Sequence, residues 1–125
     1  MRKQYHFRPG EVGLDAWDVD RLIGRSAALP IRDVPLEAIT DLDTPYWYDH
    51  GDKPTVRSVA EHARMIAGVD MSWPVILSHD GLVMDGMHRV ARALLDGATT
   101  VRAVQFDGPI QPDHRNCVPE DLPYT

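Results

Sequence analysis

Cysteine is almost missing from this 125-residue chain. Cys117 stands alone, so no disulfide forms within the chain and no cysteine cluster holds zinc. Long apolar runs are missing too, and none approaches the ~20 residues that a membrane-spanning helix needs. The polar N-terminus does not read as a signal peptide, so the expected location is the cytoplasm. Basic runs are likewise missing. With a formal net charge of −6, the chain is a poor match for duplex DNA, whose binding leans on neutralising phosphates. A small anion held in one local pocket stays compatible with that charge. There is no internal repeat, and His6, His50, His79 and His114 lack metal-ligand spacing, which argues against a transition-metal site.

What is present fits one compact domain. The chain is 43% hydrophobic, long enough for one core and too short for two ordinary domains. Residues 1–13 read as a loosely ordered lead-in carrying Arg2, Lys3 and Arg8. Residues 14–23 have the spacing of a short helix, with Leu14, Trp17 and Leu22 on one side and Gly24 as its stop. Pro30 and Pro35 exclude a helix interior and point to an edge strand around Val34. Residues 44–54 form a connection rich in aromatics, Tyr46, Trp47 and Tyr48, followed by Asp49, His50, Asp52 and Lys53. Aromatic faces there would either pin the loop to the core or stack a base as part of a lid.

From Val56 the helical period returns. Val56, Val59, Ala60, Ala63 and Ala67 predict a buried stripe, with Ser58 and Glu61 at capping-box spacing and Gly68 as the stop. His62 lies at the edge of this helix, with Ser58 one turn earlier on the same side. Beyond Phe106 the prolines at 109, 112, 119 and 123 predict a coil that wraps the surface, with Leu122 or Tyr124 docking in a groove.

The chemistry concentrates at residues 82–106. Trp73 to Leu77 and Leu82 to Met84 flank Ser78-His79-Asp80-Gly81, whose Asp-Gly is a strong hairpin signal. A helix follows, since Met87, Val90, Ala91, Leu94 and Ala98 share one stripe, with Asp85 as its expected N-cap and Gly97 as its left-handed stop. Residues 99–106 alternate as a returning strand. The turn Asp85-Gly86-Met87-His88-Arg89 thus sits at a strand-to-helix switch, where unpaired N–H groups favour an anion. Arg89 offers a planar fork suited to phosphate, against the alternative of an ion pair with Asp85 or Asp96. His88 is either a phosphate donor or acid–base group, or a histidine satisfied by a strand carbonyl. Asp85 either caps the helix or faces a Mg²⁺ that bridges to phosphates. Met65, Met71, Met84 and Met87 read as core filler.

The order of these elements resembles the ParB/sulfiredoxin superfamily over roughly residues 29–106, most specifically at Asp85 to Arg89 followed by Ala93 and Gly97. The resemblance implies an α/β (α+β) fold, a small mixed sheet with packed helices, and a nucleotide or phosphate site at Gly86, Met87, His88 and Arg89. Sulfiredoxins place a cysteine directly before the His-Arg pair; Met87 stands there and excludes their chemistry. Partition proteins carry Gly-Glu-Arg-Arg in this turn, and no helix-turn-helix pattern follows, so CTP gating and centromere binding are not expected. The free serine kinase branch carries Asp-Gly-His-His-Arg, which differs from this turn only at Met87. By that likeness Glu37 is a candidate base for a substrate hydroxyl, beside His88 and Asp85.

Two functions follow from the resemblance. One is a phosphotransferase using ATP, ADP or another nucleotide with Mg²⁺ on a small hydroxyl-bearing substrate. The alternative is a non-catalytic regulatory module that binds a nucleotide, a phosphorylated small molecule or a partner. A nuclease is disfavoured by the acidic charge and the lack of a carboxylate cluster. No feature of the sequence fixes an oligomeric state.

Overall fold

A computed structural model of the chain describes residues 3–48 and 53–124. Arg2 and the Asp49, His50 and Asp52 portion of the expected lid lie outside the described residues. The chain is mixed α/β, with three α-helices and two sheets among the described residues. Among the described residues no helix is long and apolar enough to cross a membrane.

The first sheet is built from segments that lack a strong sequence signal. β1 (Tyr5–Pro9) and β2 (Leu14–Asp18) form an antiparallel hairpin, and β7 (His114–Cys117) pairs with the other side of β2. These strands correct three expectations: a loose lead-in, a helix from Leu14, and a wholly coiled tail. The helical pattern begins only after Asp18, whose carboxylate accepts the Asp20 N–H at 3.0 Å and caps α1 (Val19–Ser26). α1 runs through Gly24, the expected stop. Tail docking is observed at Leu122, which is buried.

The second sheet has the order β3-β6-β4-β5, made of β3 (Arg32–Pro35), β4 (Val75–Leu77), β5 (Val83–Asp85) and β6 (Thr100–Gln105). β4 and β6 run parallel, and the other neighbours are antiparallel. The proline-flanked β3 is an edge strand, as its prolines require. β4 and β5 form the expected hairpin, with Gly81 at φ 85° in its turn.

Alternate residues of this sheet face two apolar layers. Val34, Val75, Leu77, Val83, Val101 and Ala103 pack with α3 (Met87–Leu95) on one face. Ile76, Met84 and Val104 pack with Leu22 of α1 and Phe106 on the other. Burial on both faces is why the strand Val75–Leu77 reads as a continuous apolar run and not as an alternating one.

α2 (Val56–Gly68) forms where its period predicted, but its orientation differs. The inward side carries Ser58, His62 and Ile66, all half-buried, whereas Val56 is 90% exposed and Val59 is 53% exposed. The predicted stripe therefore lies toward solvent. Its capping box joins Thr55 and Ser58, one turn before the expected Ser58 and Glu61 pair.

Candidate functional site

β5 ends at Asp85, and the chain turns into α3 through Gly86 at φ 101°, ψ 25°. Gly86 is the N-cap residue and supplies no side-chain cap, so Asp85 does not cap this helix as the sequence suggested. Its carboxylate instead accepts from the Arg89 guanidinium at 3.0 Å, one of the two partners expected for Arg89. The guanidinium lies over Gly86, where a Cβ would come within 2.6 Å of it. Arg89 Nε is buried there without a hydrogen-bond partner.

The turn opens onto a cavity of about 580 Å³. Gly86, Met87 and His88 line one side, Lys3 and Arg8 another, and Tyr46 and Trp47 a third. In the first turn of α3 the Arg89 N–H already donates to the Gly86 carbonyl at 3.0 Å. The N–H groups ahead of it lie before the intrahelical ladder begins, where a helix start favours an anion. Arg89 is not part of this wall; it lines a neighbouring cavity, and Asp85 lies between the two. Glu37 is separated from the turn altogether. It sits exposed on a 3-10 turn (Leu36–Ala38) after edge strand β3, with β6 and β4 between it and β5.

A compact aromatic cluster backs the cavity. His62 Nδ1 and His88 Nε2 lie 2.8 Å apart, so one ring donates to the other. The Trp47 indole stacks on both, with centroids 4.2 Å from His62 and 4.6 Å from His88 and planes inclined by 16° and 18°. The loop aromatic is thus pinned to the two histidines while one side of it lines the cavity. His62 was visible in the sequence as a residue at the helix edge, but its partner lies 26 residues away. The aromatic loop continues inward: Tyr46 Oη donates to the Val83 carbonyl at 2.9 Å, and burial pushes its phenol well above the ordinary range.

Burial, reinforced by His62 and Arg89, pushes His88 down to about 4, and burial also lowers His62. Both rings are therefore neutral at pH 7. An unfolded histidine binds its proton near pH 6.5. As pH falls from about 6.5 toward 4, the unfolded chain takes up protons that the folded one resists, so stability falls with pH in that window. Denaturant titrations between pH 7 and 4 should show wild type losing more stability than His88→Gln. Parallel curves would contradict the buried neutral pair.

Donors for a metal are sparse. Asp85 is committed to Arg89, and among the described residues no three His, Cys, Asp or Glu side chains converge as a metal-binding group. Against family models, curated proteins and solved structures, the chain matches none.

Proposed function

We propose that this chain is a binding domain for a phosphate-bearing small molecule of the nucleotide class, on a ParB/sulfiredoxin-like frame. The observation that carries this is the cavity of about 580 Å³ shared by the first turn of α3, Lys3, Arg8 and Trp47. A helix start supplies N–H donors for a phosphate. Lys3 and Arg8 line one wall, each held in place by a carboxylate at 2.8 Å, Asp18 and Asp41, that does not line the cavity. Tyr46 and Trp47 give a base an aromatic wall. Kinship with the superfamily is supported by the succession of β3, α2, β4, β5, α3 and β6, with Asp85-Gly86-Met87-His88-Arg89 at the strand-to-helix turn.

One observation favours a phosphotransferase as the second function. His88 is neutral at pH 7, lines the same cavity and is hydrogen-bonded to His62. It lies nearer the helix start than Glu37, but burial that holds it at about 4 makes it a weak proton acceptor at pH 7. Binding without turnover needs no further group, and for that reason it ranks first.

A thermal-shift screen of nucleotides, with and without Mg²⁺, tests the proposal on wild type, Lys3→Ala and Trp47→Ala. A ligand at a hundredfold excess over Kd should stabilise wild type by roughly 2.7 kcal/mol. Both variants should bind it more weakly, with Trp47→Ala losing the discrimination between nucleotide and inorganic phosphate. Absence of stabilisation by every nucleotide would refute the assignment.

A further inference from the structure

The cavity over α3 has a neighbour across Asp85. A second cavity of about 520 Å³ begins beyond it, and Gln4, Val19 and Asp85 line both. The second one is walled mainly by apolar side chains, among them Ile23, Leu29, Ile31, Trp73 and Ile76. Several of these are left to water: Trp73 is 56% exposed, Ile31 49% and Ile23 37%.

The charges of the two cavities differ. Asp20, Asp85 and Arg89 are the charged residues of the second, and Asp85 and Arg89 already neutralise one another at 3.0 Å. A second anionic group there would meet Asp20 and a self-compensated ion pair. Lys3 and Arg8 line the first cavity while their ion-pair partners Asp18 and Asp41 lie outside its lining, so Asp85 is the one carboxylate among its lining residues. An anionic head therefore belongs in the first cavity, and an uncharged apolar group in the second.

We propose that the two cavities are arms of one cleft and that its ligand is an amphipathic phosphate. The phosphoryl head would lie over the first turn of α3, and an alkyl or aryl tail would run past Asp85 between α1 and the start of β4. The head rests on the function proposed above; the tail rests on the residues that the two cavities share and on the apolar lining of the second. Each methylene buried in that arm should raise affinity roughly fourfold.

Calorimetric titration of methyl phosphate, hexyl phosphate, hexanol and AMP into the full chain tests both parts. Wild type should bind hexyl phosphate at least tenfold tighter than methyl phosphate. Ala27→Trp places a large ring in the second arm from an exposed position at the end of α1, and should remove most of that advantage while leaving methyl phosphate unaffected. Ile23→Ser, a smaller change in the same wall, should reduce it in part. Equal affinity for the two phosphates, or an advantage intact in both variants, overturns the tail; AMP binding alongside equal affinities then leaves the head site standing. Hexanol binding as tightly as hexyl phosphate, with no binding of methyl phosphate or AMP, overturns the head and the proposed function with it.

Discussion

Replacing Asp41 by alanine should cost the fold about 3–5 kcal/mol, the range for removing one partner of a buried charge pair. Asp41 is only 3% exposed, on a 3-10 turn (Thr40–Asp43) between β3 and α2. One carboxylate oxygen accepts from both Arg8 and the Val83 N–H, each at 2.8 Å. Val83 belongs to β5, the open edge of the second sheet, and its N–H points away from β4. An edge strand presents backbone groups that must be paired or covered, and Asp41 covers this N–H while Tyr46 covers the carbonyl.

Alanine would strand the Val83 N–H and leave Arg8 without its counter-ion. An unpaired buried donor alone costs about 1–3 kcal/mol, and loss of the Arg8 pair also loosens the tie between β1 and the second sheet, leaving the 3.4 Å bond from Arg8 to the Val83 carbonyl. Equilibrium urea unfolding of wild type, Asp41→Ala and Asp41→Asn measures this. Asparagine keeps an oxygen for Val83 and should recover part of the loss. A loss below about 1 kcal/mol for alanine would show that water replaces the carboxylate and that the edge is not sealed as described.

Asp41 also shows where the sequence falls silent. The second sheet and its helices were legible because period and punctuation agree there. Pro30 and Pro35 mark the edge strand, Asp80-Gly81 the hairpin turn, and Gly97, at φ 77°, the end of α3. Features set by distant partners left no local trace. β1 and β7 owe their form to β2, and β7 joins it across about a hundred residues, with Cys117 opposite Leu14. The α2 stripe was misread for a related reason. Apolar period says that a helix forms, whereas its rotation is fixed by what His62 and Ile66 meet, and that includes the His88 and Trp47 rings.

The site divides along the same line. The Asp85 to Arg89 turn was found because glycine, histidine and arginine at a helix start carry their own chemical meaning. The division of that turn between two cavities depends on β1 and α1, whose positions are not local information. Asp85 was expected to cap α3, as short acidic side chains often do. The observed cap is Gly86, because the chain leaves β5 in a left-handed turn that suits glycine, and this releases the carboxylate to hold Arg89.

Gly86→Val is accordingly the second large effect expected, a loss of about 2–4 kcal/mol. A β-branched residue at φ 101° carries backbone strain of about 1–3 kcal/mol. The new Cβ would also lie 2.6 Å from the Arg89 guanidinium, forcing it off the turn and away from Asp85. The two contributions separate in a double-mutant cycle, because only the second depends on Arg89. With Arg89→Ala as background, Gly86→Val should cost less than in wild type, and the difference measures what displacing the guanidinium adds to the backbone strain. Strict additivity in urea unfolding would mean that the side chain moves aside freely and that Gly86 is required by its φ alone. A non-additive cycle would identify Gly86 as the residue that lets a guanidinium lie against the start of α3, holding Asp85 out of the capping position and at the seam between the two arms of the cleft.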